Sequence, residues 1–307
     1  MIFVFNTNNN QTMKKTIWKL KDWISEDYSI NWLCKNTHPR AIELLEEVNK
    51  NSINWYNVSA NPNAFDFQMK NYNNIRWSGI CINPNPSAYE LVLKNQDKID
   101  WPYLSSNPNA IELLERNIDK VDMYSLYSNP KAVPLIKKLA KKKRKKYGIY
   151  IGSNPSEEAI PLIMSNLHMY RKNKMFHIAN NPFAIDIIID NLDYMTSTDW
   201  YELAFNPHHE AIELLRHHCP IKPSWYNLVR NPNPDAFKLL MDIYKNDKIN
   251  NQYIHDDLYL NPHIFELDYE AMKQNNQGLE EELLTYIMEP SRVFRNGGLS
   301  YLNELFK

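Results

Sequence analysis

The sequence predicts an all-α protein, an α-solenoid of about ten short helix-pair repeats of about 25 residues each. Three observations lead there. Asn-Pro returns in phase at Pro62, Pro84, Pro108, Pro130, Pro155, Pro182, Pro207, Pro232 and Pro262, with His38-Pro39 opening the series, at intervals of 22 to 30 residues. Seven residues before the repeat proline a Trp stands in six units: Trp32, Trp55, Trp77, Trp101, Trp200 and Trp225. After the proline comes an Ala and then a run with one polar residue among apolar ones, as in Ala41-Ile42-Glu43-Leu44-Leu45 and Ala110-Ile111-Glu112-Leu113-Leu114. A catalytic motif is needed once per active site, whereas one phrase used along a whole chain points to architecture.

The elements follow in order. Residues 1–12 read as a polar tail, and 13–29, "MKKTIWKLKDWISEDYS", as an amphipathic helix capping the first repeat. The repeat array spans 30–267. In each unit Asn suits a helix N-cap, because its side-chain oxygen accepts an orphan amide, and Pro suits the next position, where its missing N–H costs nothing. The Ala and the apolar residues after it share one stripe of what is called here the A helix. The units at Pro84, Pro155, Pro207 and Pro232 place two extra residues before the Ala, which lengthens the turn and keeps the register.

Before each Asn-Pro, a capping residue such as Asn54, Asp100 or Asp122 precedes the Trp position, and an aliphatic residue follows three places later. That spacing makes a short B helix of one or two turns. The Trp register is read as inter-repeat core, with Trp55, Trp101 and Trp225 expected to be buried. Stacked at roughly 8–10 Å, ten pairs are expected to form a bent rod on the order of 80–100 Å long. Residues 268–307 retain a worn copy of the repeat and read as a C-terminal cap.

Composition bounds the function. With 43% hydrophobic and 23% charged residues the chain is neither disordered nor membrane-embedded, and no apolar run approaches the 18 or so residues of a membrane span. "MIFVF" is too short and lacks the basic flank of a signal peptide, so the expected address is intracellular. Cys34, Cys81 and Cys219 fall in no metal-ligand spacing and read as small buried residues. The few glycines form no phosphate loop, no Ser-His-Asp logic is visible, and no cofactor is implied.

A unit of this length is too short for a tetratricopeptide or ankyrin repeat. Runs of "SNPNAIELLE" preceded by "IDWPYL" resemble the Asn-Pro repeat proteins encoded in large numbers by giant DNA viruses of the mimivirus and phycodnavirus kind. The resemblance covers about Asn31 to Leu267. It implies a viral origin and an α-solenoid, with no activity attached.

Three groups of residues carry chemistry. The run "KKLAKKKRKK" at 137–146 holds eight basic side chains, with Lys141, Lys142, Lys143, Arg144, Lys145 and Lys146 at its end. It reads either as a phosphate or nuclear-import contact or as the solvated end of an A helix. Those eight leave 27 of the 35 basic residues against 36 acidic ones, so a basic lining for nucleic acid is missing from the rest. His209, Glu213 and His217 share a helix face, but the outer pair lie about 12 Å apart along the axis, too far for one metal ion.

The third group is aromatic. One or two places after the Trp position stand Tyr56, Tyr103, Tyr124, Tyr150, Phe176, Tyr201 and Tyr226. They read either as inter-repeat packing or as a recognition stripe along the B helices, since Tyr offers a wide apolar face and a hydroxyl at low rotamer cost. The expected function is a non-enzymatic scaffold that binds protein partners through this stripe, as a virion component or a host-modulating adaptor. Nucleic-acid association through residues 137–146 is the alternative.

Overall fold

The structure, a computed structural model, describes residues 18–22, 24, 29–143, 149–172, 175–220, 225–247, 254–273 and 288. These are mostly helical: short α-helices and 3-10 turns succeed one another. The described strands are β1 (Trp18–Leu20) and β2 (Phe265–Leu267). Residues 22–264 form one unit, and Met1–Lys21 with Phe265–Lys307 form a second.

Within the first unit local chemistry sets where the short helices begin. B helices run over Trp55–Ala60, Trp77–Ile82, Trp101–Ser105 and Met123–Tyr127. Asn54 and Asp122 accept the amides of Asn57 and Ser125 and so fix where two of these helices begin. A helices run over Pro39–Glu47, Pro86–Lys94 and His209–His217, capped by His38, Asn85 and His208. At Pro62 the chain enters through a 3-10 turn, Pro62–Ala64, before the helix Phe65–Lys70.

One residue type joins these pairs. The asparagines Asn36, Asn61, Asn83, Asn107, Asn129, Asn154, Asn181, Asn206, Asn231 and Asn261 are at most 3% exposed. In nine of them Oδ1 accepts the amide two residues on, which shapes the turn into the A helix. In the repeat of Asn154 the Ser156 amide turns to the Asn154 carbonyl instead. In all ten, Nδ2 donates to two carbonyls, at 2.7–3.2 Å: that of another ladder asparagine and that of the residue two before it.

For nine asparagines the accepting repeat is the preceding one in sequence. For the first it is the last: Asn36 Nδ2 donates to the carbonyls of Tyr259 (2.8 Å) and Asn261 (3.0 Å). Within residues 22–264 the ladder is therefore a closed circuit, and the expected open rod is corrected. Ten equal steps around a circuit need about 36° of rotation per repeat, a quantity set by packing angles that repeat length alone does not reveal.

The ladder also corrects the register of the first repeat. Its defining residue is Asn36 and not His38-Pro39, and Trp32 consequently drops out of the Trp series. Aligned on the asparagines, the residue three places before is Leu33, Val58, Ile80, Leu104, Leu126, Ile151, Ile178, Leu203, Leu228 or Leu258, each at most 2% exposed. That column and the Ala that opens each A helix, from Ala41 to Ala236, are the array's apolar core, and every one of those alanines is fully buried.

Tryptophan is only partly core. Trp55 stacks on Phe67 at 5.8 Å and is 9% exposed, and Trp200 is buried as well. Trp77 and Trp101 are half-buried, each with a lysine of the next repeat, Lys98 or Lys120, 4.7 Å from its ring centroid. The lysine stem and ammonium cover the face that an apolar neighbour was expected to cover. The side chain of Trp225 lies outside the described residues.

Trp18–Leu20 is a strand, not part of a helix over 13–29. It pairs antiparallel with β2, Trp18 opposite Leu267 and Leu20 opposite Phe265, and Lys19 reaches Glu266 at 3.5 Å. Trp-Lys-Leu fits an alternating pattern as well as a helical one, and an available strand edge decides between them. The A helix of the last repeat is correspondingly replaced by the turn Pro262–Ile264 and β2, so the array ends at Ile264 and not at 267.

The ladder generates a graded expectation. Asn107→Ala, which strips one donor group from two buried carbonyls and one acceptor from the Asn109 amide, should cost about 3 kcal/mol in denaturant unfolding. Asn107→Asp should cost more, because an ionised carboxylate would face the same two carbonyls.

Candidate binding surface

The residues four and five places before the ladder asparagine lie on B helices, and B helices pack directly on one another: Trp55–Ala60 on Trp77–Ile82, that helix on Trp101–Ser105, and Phe176–Ala179 on Ser197–Leu203. The Trp position and the aliphatic residue three later turn toward the core, which leaves the intervening places at the surface. Tyr103, Tyr124, Tyr150, Tyr201 and Tyr226 are exposed there, from 37% at Tyr103 to 68% at Tyr124, while Tyr56 and Phe176 are half-buried.

Several of these rings meet. Tyr124 and Tyr150 pack edge to face at 5.3 Å, and Tyr150 does the same with His177 at 5.4 Å. Tyr127 flanks Tyr150 at 6.2 Å, and Phe176 tilts against His177 at 4.0 Å. Tyr56 meets Tyr103 at 5.8 Å although a whole repeat lies between them. Rings two repeats apart touch only on the side toward which the array curves, and only if the middle repeat is small there. It is: the intervening residues are Ser78 and Gly79.

Gly79 is required for a second reason. A Cβ at this position would stand 2.6 Å from Ser59 Cβ and 2.7 Å from the Tyr56 carbonyl oxygen. The two B helices approach each other through that gap.

At the other end of the stripe Tyr226 lies under the Arg230 guanidinium, 3.9 Å from the ring centroid, and its hydroxyl accepts from Arg230 Nη2. Arg230 also covers Trp32 at 5.1 Å and reaches Asp257 at 3.5 Å. The surface is polar and aryl with few charges. Burial, then Tyr103 and Asp100, push the Tyr56 hydroxyl up from its ordinary pKa, and burial followed by Asp199 raises Glu202. Both groups thus favour their uncharged forms more than free side chains do.

His177, Tyr127 and Arg230 belong to this surface and escaped sequence reasoning, while Trp32, read from sequence as inter-repeat core, lies under Arg230. His177 occupies the column of Tyr103 and Tyr150 and could have been found there. Arg230 precedes a ladder asparagine, a column otherwise without pattern.

The other candidates fall elsewhere. Lys141, Lys142 and Lys143 end the helix Val133–Lys143, and their side chains, with Arg144, Lys145 and Lys146, lie outside the described residues. His217 pairs with Glu213 at 3.2 Å, and His208 caps its helix with the His209 ring tilted against it at 4.6 Å. Among the described residues no three His, Cys, Asp or Glu side chains converge on a metal position. Cys34 and Cys81 are buried. Cys81 occupies the column of Ser59 and Ser105, and all three accept an amide of the next repeat. Burial pushes the Cys34 thiol up to about 11, the opposite of a reactive cysteine. No described helix is long and apolar enough to cross a membrane.

No family model matches the chain, and no curated protein and no solved structure matches it either.

Two substitutions separate surface from scaffold. Tyr124→Ala, at the most exposed ring, should change stability by less than about 0.5 kcal/mol. Gly79→Ala should cost about 1–3 kcal/mol through overpacking against backbone that cannot yield, both read by thermal or denaturant unfolding.

Proposed function

We propose that the chain is a closed α-solenoid of ten helix-pair repeats acting as a non-enzymatic scaffold, and that it grips a protein partner through the stripe Tyr56, Tyr103, Tyr124, Tyr150, Phe176, Tyr201 and Tyr226. The observation that carries this reading is the exposure of five tyrosines in matching places of the B helices, beside an aliphatic column, from Leu33 to Leu258, that is buried in every repeat. Exposed Tyr repeated in register adds nothing to the core, and it is a residue type that dominates interface energetics. The likeness of the Asn-Pro phrase to giant-virus repeat proteins supports a setting inside an infected host cell, in the virion or in a host-directed complex.

The test is affinity capture by the intact protein and by the Tyr201→Ala, Tyr226→Ala double variant, followed by reconstitution with the purified partner. The double variant is expected to keep its helical signal and to lose capture at least tenfold, the scale of two truncated aromatic anchors. Capture that survives the double substitution would rule the stripe out. Binding to nucleic acid that collapses between low and moderate salt would favour the basic run at 137–146 instead.

A further inference from the structure

Because the ladder closes on itself within residues 22–264, the tyrosine stripe is bent into a ring. Tyr56 meets Tyr103 at 5.8 Å across the third repeat, and Arg230 covers Trp32 at 5.1 Å across the tenth. Contacts that skip a repeat form on the inner side of a closed circuit, where the path is shortest. Trp32, Tyr56 and Tyr103 all stand four or five places before a ladder asparagine, so those two columns line the inner side.

The same contacts set its width. At about 36° per repeat, 5.8 Å over two repeats places the Tyr56 and Tyr103 rings about 5 Å from the axis, and 5.3 Å over one repeat places Tyr124 and Tyr150 about 9 Å from it. Less about 1.8 Å for the half-thickness of each ring, the clear width is about 6–14 Å. An extended strand measures about 5 Å by about 10 Å across, and a helix with its side chains about 10–12 Å. A folded domain or a nucleic-acid duplex is too wide for the narrow part; one extended strand is not.

Charge narrows the occupant further. Two places in each of ten repeats give twenty residues, and none of them is Lys or Arg, although those types make up 35 of the 307. Three are acids: Glu202, Asp256 and Asp257. Seven places before the ladder asparagine, Asp100, Asp122 and Asp199 stand against Arg76 among the described residues. One place before it the bases are Lys35 and Arg230, and both are laid over Trp32, at 4.7 Å and 5.1 Å, with Arg230 also paired to Asp257. Glu202 and Asp256 have no ion pair among the described residues.

The chain itself shows what its rings accept. Lys98 lies over Trp77, Lys120 over Trp101 and Arg230 over Tyr226, each drawn by the negative face of the ring. Tyr103, Tyr124, Tyr150 and Tyr201 are exposed and carry no such cation among the described residues.

We infer that the inner side of the circuit takes in one extended, cationic polypeptide segment, whose arginine or lysine side chains lie on the tyrosine rings and reach Glu202 and Asp256. The inference rests on the stripe being a binding surface and adds the kind of segment it takes. A phosphate backbone would meet carboxylates there, with the neighbouring bases already engaged.

The test is fluorescence anisotropy on the full chain with labelled, unstructured peptides of about a dozen residues. They alternate glycine with arginine, serine or glutamate, and a single-stranded oligothymidylate completes the set. The arginine peptide is expected to bind at least about tenfold more tightly than the serine peptide, by a margin that narrows as salt rises. A folded domain of like positive charge should not compete with it. Glu202→Gln with Asp256→Asn should weaken arginine-peptide binding at least about fivefold with the helical signal unchanged, and Tyr201→Ala with Tyr226→Ala should weaken it further. Equal binding of the arginine and serine peptides, tighter binding of the glutamate peptide or the oligothymidylate, or a dimer of the chain that the tyrosine substitutions dissolve would each overturn the proposal. Should partner capture fall with the tyrosine substitutions while arginine earns no preference, the stripe stands as the binding surface and only the cationic segment is struck. Arginine-peptide binding indifferent to both pairs of substitutions would strike both readings. Should either variant fail to fold, the ranking of the peptides on the unaltered chain still decides.

Discussion

The side-chain amide of a buried asparagine, used in two directions at once, is the interaction on which this fold depends. Its oxygen closes a turn in its own repeat, and its NH2 group bridges two carbonyls of the repeat beside it. Few side chains could take its place. Aspartate lacks the donors, serine has one donor where two carbonyls wait, and the extra methylene of glutamine shifts the amide out of plane with them. A buried amide with every partner supplied is a tight specifier of geometry, and one with a partner missing is a liability of a few kcal/mol. The surrounding columns serve that satisfaction: alanine lets the A helix approach, and Ser59, Cys81 and Ser105 take amides that the ladder does not reach.

Much of this was legible in the sequence, for a physical reason. Capping and helical periodicity are local, so Asn-Pro, the Ala that follows and the aliphatic residue before each Asn announced where short helices begin and which face they bury. The donor half of the asparagine was not legible, because its acceptors lie about 25 residues away and are main-chain atoms that leave no mark on composition. Anchoring the series on proline misplaced the first repeat: Thr37 stands where the other repeats have proline, and His38-Pro39 supplies a decoy two residues later. The closure was hidden for the same reason that its angle was. It is a sum of small rotations, none of them written in any one unit.

The tyrosine stripe was visible as a column, yet its geometry was not. That Tyr56 reaches Tyr103 over Ser78 and Gly79 depends on curvature, and a linear reading places those rings two repeats apart. Likewise, Lys98 and Lys120 fall in turns and look like solvated loop residues until the fold lays them across the half-buried tryptophans. What sequence alone underrates here is the share of packing done by amphipathic side chains, whose stems cover apolar surface while their charges stay wet.

A circuit that closes on itself constrains how such a gene can change. An open stack lengthens or shortens by duplicating or losing a unit, and each new unit docks on a free end. Here there is no free end within the array. A nine- or eleven-repeat descendant would have to turn by about 40° or about 33° at every joint instead of about 36°, and each buried amide would have to find its two carbonyls at the new angle. Single residues can drift in the turns, as the spread of repeat lengths shows. The number of repeats cannot drift singly, because it is a property of all ten joints together.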